Sequence, residues 1–163
     1  MELSDRVIEI FKAIAQVPRQ SKHEAKISAW LADRAKSSGF EVERDDANNV
    51  IIRVPATKGY ENAPIIALQG HMDMVCEKTP TSTHNFDTDP IEVIIEGDWM
   101  HANQTTLGAD DGLGVALALA MAEDPNVEHP RLEIIITSDE ETGMTGAIAL
   151  KPIAKTLSVS LEM

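Results

Sequence analysis

An α/β fold, with a mixed central sheet flanked by helices, is predicted by two observations in this 163-residue sequence. Segments of helical periodicity alternate with short β-branched runs, in the succession helix, strands, helix, strand, helix, strand. The run Ile65–Leu68 is apolar on consecutive residues, the pattern of a strand buried on both faces. The length fits one domain with a sizeable core.

Val7, Ile10, Phe11 and Ile14 stand at helical spacing over residues 4–16, with Ser4 as the expected N-cap and Pro18 beyond the end. Ser21-Lys22-His23-Glu24 reads as a capping box. It opens a second helix with Ile27, Trp30, Leu31 and Ala35 on one face, and Gly39 closes that helix. Residues 40–44 alternate and 49–54 are β-branched and apolar, with Asp45–Asn48 as the turn between them. Residues 76–90 are polar, contain Pro80 and Pro90, and read as a loop. A hairpin is expected over Ile91–Glu96 and Trp99–Ala102 through Gly97-Asp98. A helix over Asp110–Ala122, a strand over Leu132–Thr137, a short helix over Gly143–Leu150 and a last strand over Leu157–Leu161 complete the series.

The formal net charge of −13 argues against nucleic acid, which is held by clustered Lys and Arg, and against anionic membrane surfaces. No apolar run approaches the roughly 20 residues of a membrane helix. The start, Met1-Glu2-Leu3-Ser4-Asp5, lacks a signal-peptide layout, so a cytoplasmic location is expected. The single cysteine, Cys76, fits a reducing compartment and reads as a small apolar residue before it reads as a nucleophile.

The chemistry concentrates at strand ends, where α/β sheets collect ligands. His71 and Asp73 follow the Ile65–Leu68 run and share one face of an extended stretch. Such a pair can orient an imidazole toward a metal, although by itself it is more often an ordinary surface pair. Asp110 and Asp111 open a helix, where either residue can simply cap it; a carboxylate there can also bridge two cations. Asp139-Glu140-Glu141 places three acids at the end of a buried strand. Solvent tolerates that repulsion, and a metal would compensate it, leaving one carboxylate free to move a proton. His84 with Asp87 forms a second His–carboxylate pair in the loop; these, His23, His101 and His129 read as surface or packing residues. Gly-x-Ser-x-Gly, phosphate-loop and His-Glu-x-x-His patterns are absent from the sequence.

In the order His71-Met72-Asp73, Asp110-Asp111, Glu140-Glu141, the sequence resembles the dinuclear zinc exopeptidases, which include glutamate carboxypeptidases, aminoacylases, tripeptidases and aminoacyl-histidine dipeptidases. Gln69–Val75 and Thr105–Gly114 look most like the aminoacyl-histidine (cytosolic non-specific) dipeptidase branch; many other branches have Lys where Gly112 stands. The resemblance covers nearly the whole chain. It implies a metal-dependent dipeptidase of Xaa-His type with two zinc ions, for which manganese or cobalt can substitute. His71, Asp110, Glu141 and Glu162 would be metal ligands, with Asp110 bridging; Glu140 would be the general base, and Asp73 would orient His71. Glu162 stands where this branch usually has Asp. Family members are longer, with a lid or dimerisation domain and a C-terminal catalytic segment that supplies a last histidine ligand. The resemblance therefore implies that residues 1–163 are the N-terminal portion of the catalytic domain, and that the full-length protein acts on dipeptides, possesses that lid and forms a homodimer. A non-catalytic metal- or partner-binding fragment, and an N-acyl amino acid or tripeptide hydrolase, are the competing expectations.

Overall fold

The computed structural model describes residues 2–150 and 160–161 of the chain. In order these form α1 (Leu3–Ala15), α2 (Ala25–Ser37), β1 (Glu41–Arg44), β2 (Val50–Val54), β3 (Ile66–His71), β4 (Val93–Glu96), β5 (Trp99–Ala102), α3 (Ala109–Glu123), β6 (Leu132–Thr137), α4 (Glu140–Gly143), α5 (Thr145–Ala149) and β7 (Ser160–Leu161). The predicted α/β class is what forms. Within the expected last strand, 157–159 lie outside the described residues, as does Glu162.

The main sheet runs β1-β2-β6-β3-β7. β2 is antiparallel to both β1 and β6, whereas β3 is parallel to β6 and β7, so the sheet is mixed. The parallel register aligns Ile66 with Leu132 and His71 with Thr137, which brings the carboxyl ends of β3 and β6 side by side. Every residue of β6 is buried, as expected of a central strand. Val50, Ile52, Val54, Leu68, Ile134 and Ile136 share one core with α1, α2 and α3, so these three helices cover one face of the sheet. Among the described residues, β4 and β5 pair only with each other, through the predicted turn.

Two expected caps are not made. α1 begins one residue before Ser4, with Glu2 at the N-cap position and no side-chain bond there. α2 begins at Ala25, and neither partner of the expected capping box performs that role: Ser21 Oγ donates to Asp73 Oδ2 at 2.8 Å, and Glu24 Oε1 accepts the Lys22 and Asp139 amides at 2.7 and 3.0 Å. Both side chains are taken by long-range contacts that the local pattern cannot reveal. Gly39, with φ +83°, ends α2 in the left-handed region as predicted. The expected short helix over 143–150 is divided: Met144 at φ +53° separates α4 from α5.

Candidate metal centre

β3 ends on His71, and the Met72 amide extends its pairing by donating to the Thr137 carbonyl at 2.8 Å. Asp73 then turns fully inward, at 0% exposure. Its Oδ1 accepts the Glu140 amide at 3.1 Å, and Oδ2 accepts the Glu141 amide at 3.2 Å in addition to Ser21. His71 Nδ1 faces Asp73 Oδ1 at 3.3 Å, at an angle outside hydrogen-bond geometry. Burial alone would raise the Asp73 carboxyl; His71, the two amides and Ser21 outweigh it and hold the group at about 2. Asp73 therefore stays charged. Besides facing His71, it clamps the turn that bears Glu140 and Glu141.

The other imidazole nitrogen, Nε2, lies 3.1 Å from Asp110 Oδ1 and 3.9 Å from Glu140 Oε2. Burial pulls the His71 imidazole down, but Asp73, Asp110 and Glu140 together raise it to about 9 in the metal-free protein.

Asp110 and Asp111 divide two functions that sequence leaves open to either. Both have non-helical backbone angles, and regular helix resumes at Gly112. Burial raises the Asp111 carboxyl, and the His71 and Gly114 backbone N–H groups offset part of that rise. Gly114 is the third residue of the resumed helix, so Asp111 occupies the place of its N-cap. A Cβ at Gly70 or Gly114 would run into the Asp111 carboxylate, so both glycines are needed to seat it. The Asp110 side chain, 88% exposed, is left free to turn toward His71.

His71, Asp110 and Glu141 thus come from three separate segments, and one ligand-type atom of each lies within 4.8 Å of the other two. Burial pushes the Glu141 carboxyl up, and the nearby charges of Glu140, Asp110 and Asp73 add to this. One imidazole with several mutually repelling carboxylates has the donor set and charge that suit a divalent cation such as zinc, manganese or cobalt.

Glu24, Asp73 and Asp139 form a second acidic group, also within 4.8 Å but wholly buried. Each of its carboxylates is already engaged: Asp139 accepts from the Thr142 and Thr145 hydroxyls, and Glu24 and Asp73 accept from the amides and hydroxyl named above. This group is a scaffold for the first.

Sequence reasoning missed Arg19, Ser21 and Glu24, which reach the site from the α1–α2 connection. Glu162, expected as a ligand, lies outside the described residues. The remaining histidines take no part in either acidic group. His23 pairs with Asp87 at 3.2 Å, His84 packs edge-on against Phe86, His101 faces Glu96 at 3.5 Å, and buried His129 bonds the Pro130 carbonyl. Cys76 is half-buried, and burial pushes its thiol up to about 11, well away from a nucleophile's range.

A parallel β3–β6 pair that delivers a histidine and acidic residues to its carboxyl end defines an α/β protein with a hydrolase-like site. The chain belongs to peptidase family M20/M25/M40, whose pattern matches residues 67–160. It is 46% identical over 143 residues to the cytosol non-specific dipeptidase of Escherichia coli (strain K12), which covers 88% of this chain and 30% of that protein. Among solved structures, the aminoacylhistidine dipeptidase from Vibrio alginolyticus superposes with a TM-score of 0.89 at 40% identity, over 96% of this chain and 33% of that one. The aminopeptidase PepT from Bacillus cereus ATCC 10987 gives 0.78 at 30% identity, over 96% of this chain and 42% of that one. The chain thus spans between 30% and 42% of the length of these relatives. No helix among the described residues is long and apolar enough to cross a membrane.

Proposed function

We propose that this chain is the N-terminal part of the catalytic domain of a cytoplasmic metallo-dipeptidase that hydrolyses Xaa-His and related dipeptides at a two-zinc site. The observation that carries this reading is the convergence of His71, Asp110 and Glu141 at the shared end of β3 and β6 in a chain of the M20 family. In this reading His71, Asp110, Glu141 and Glu162 would hold the cations, with Asp110 as the carboxylate they would share. Bound there, the cations would polarise a scissile carbonyl and favour ionisation of water.

The residues of the chain perform the rest. Asp73, fixed as a carboxylate, sets the orientation of His71 and leaves Nε2 facing the site. Glu140 Oε2 lies 3.9 Å from His71 Nε2 with a side chain 40% exposed, so solvent and substrate can both reach it. It takes the proton of the attacking water and passes it to the leaving amine.

Glu140→Gln removes the base while keeping shape and hydrogen-bonding capacity. In the intact protein, turnover of a Xaa-His dipeptide is expected to fall by about 10²–10⁴-fold, with zinc content unchanged by elemental analysis. Full activity in Glu140→Gln would remove Glu140 from the base role. The competing reading is a metal- or partner-binding polypeptide without catalysis. Dipeptide turnover by the purified 163-residue chain would eliminate it. Profiling against N-acyl amino acids and tripeptides tests the substrate class.

A further inference from the structure

The connection between α1 and α2, residues 16–24, contributes no member of the His71–Asp110–Glu141 set. Its polar side chains nevertheless reach all three segments that carry the set. Arg19, 2% exposed, donates through Nη1 to the carbonyls of Met72 and Asp73 at 3.1 and 3.2 Å, and through Nη2 to the carbonyl of Gly108. One guanidinium thereby spans the stretch after His71 and the turn before Asp110. The backbone follows: the Arg19 carbonyl accepts the Met74 amide at 3.1 Å, and Gln20 forms a parallel bridge with Met74. Ser21 holds Asp73, as described.

Glu24 completes the arrangement from the other side. It is 3% exposed, and its Oε1 accepts the amide of Asp139 at 3.0 Å. Asp139 opens the turn that carries Glu140 and Glu141, and it does so at φ +50°, a left-handed conformation uncommon for a non-glycine residue. That turn is therefore held by two carboxylates: Glu24 on its first amide and Asp73 on the next two.

These contacts differ from ordinary core packing. A buried guanidinium that meets three carbonyls and no hydrogen-bonded carboxylate is costly. Burial pulls Arg19 down to about 10, with Cys76, Asp73 and Asp111 opposing that shift. Its place is also exacting: a Cβ on Gly112 would stand 2.7 Å from Nη2 and 2.9 Å from the Phe11 ring. Side chains at such cost are retained where they orient groups that must converge.

Building on the metallohydrolase reading, we infer that the α1–α2 connection is the positioning element of the metal centre: Arg19 sets the spacing between the His71 and Asp110 segments, and Glu24 sets the turn that presents Glu140 and Glu141. Neither residue touches the reacting atoms; both act through the ligands and the base.

The test measures zinc affinity of the full-length protein by competition with a chromophoric chelator, together with the thermal midpoint of the metal-free form. Glu24→Ala and Arg19→Met are each expected to weaken zinc binding about 10–100-fold. Glu24→Gln keeps an acceptor oxygen and recovers most of that loss. Arg19→Lys keeps the charge but loses the fork, so it stays impaired about tenfold and serves where Arg19→Met does not fold. Glu123→Gln, at the far end of α3, is the control: it lowers the midpoint and leaves zinc affinity alone. In the metal-free chain, the Asp139 amide is expected to exchange with deuterium faster in Glu24→Ala than in wild type. Wild-type zinc affinity in both site variants, a Glu123→Gln control that loses zinc affinity as much as they do for the same drop in midpoint, or an Asp139 amide equally protected in Glu24→Ala, each overturns the inference alone. A wild-type full-length protein with no measurable zinc affinity overturns the metallohydrolase reading, and this inference with it.

Discussion

The two ends of helix α3 carry opposite solutions to the burial of charge. At the carboxyl end, Glu123 faces the unfavourable pole of the helix. It is bonded by Arg34 Nε and Nη2 at 2.8 and 2.6 Å and by Arg6 Nη2 at 3.0 Å, with its side chain 7% exposed. One carboxylate meets two guanidiniums, and the set closes on itself while joining α1, α2 and α3. At the amino end, Asp73, Asp110, Asp111, Glu140 and Glu141 crowd around one imidazole and one guanidinium. The helix pole and backbone amides relieve Asp111 and Asp73, but Asp110, Glu140 and Glu141 retain surplus charge. A closed set stabilises a fold, whereas an open set of this kind has the donors and surplus charge to take up a cation.

The sharpest separation of the two ends comes from paired substitutions. Asp110→Asn is expected to weaken zinc binding by more than about 100-fold, beyond the range for outer-shell partners. It should change metal-free stability by no more than about 1 kcal/mol, because the side chain is 88% exposed. Glu123→Gln should do the reverse. It should cost about 2 kcal/mol in urea unfolding, since two part-buried guanidiniums lose their charged acceptor, with zinc affinity intact. Equal destabilisation by the two substitutions would erase the distinction between the ends.

Sequence and structure agree best where the signal is local. His71, Asp73, Glu140 and Glu141 were legible because each follows an apolar run, and a strand end in an α/β sheet is a site by position. The break at Asp110–Asp111 was not legible. Helical composition continues through Ala109–Glu123, and only the seat made by Gly70 and Gly114 requires the backbone to depart from it. Ser21 and Glu24 have capping-box spacing, yet their partners lie 52 and 115 residues away in Asp73 and Asp139. Arg19 stands in no pattern at all; its role exists only once β3 and α3 have been brought together. Local propensity can compete for such residues, but burial of long-range polar partners decides their use.

The pH dependence of the metal-free protein separates the two ends most finely. Raising the His71 imidazole from 6.5 to about 9 means that folding favours its protonated form. The resulting stability is fully present below pH 6.5 and is lost as pH rises through about 9. Unfolding in urea with a chelator present should therefore show a decline on the order of 1–3 kcal/mol between pH 6.5 and 9. The Glu123 cluster contains no imidazole, the side chain that ordinarily titrates in that interval. Glu123→Gln should accordingly lower the whole curve without altering its slope, while His71→Gln should flatten it. A slope that survives His71→Gln would mean that the imidazole is not held by Asp73 and Asp110, and the amino end of α3 would lose the feature that distinguishes it from the carboxyl end.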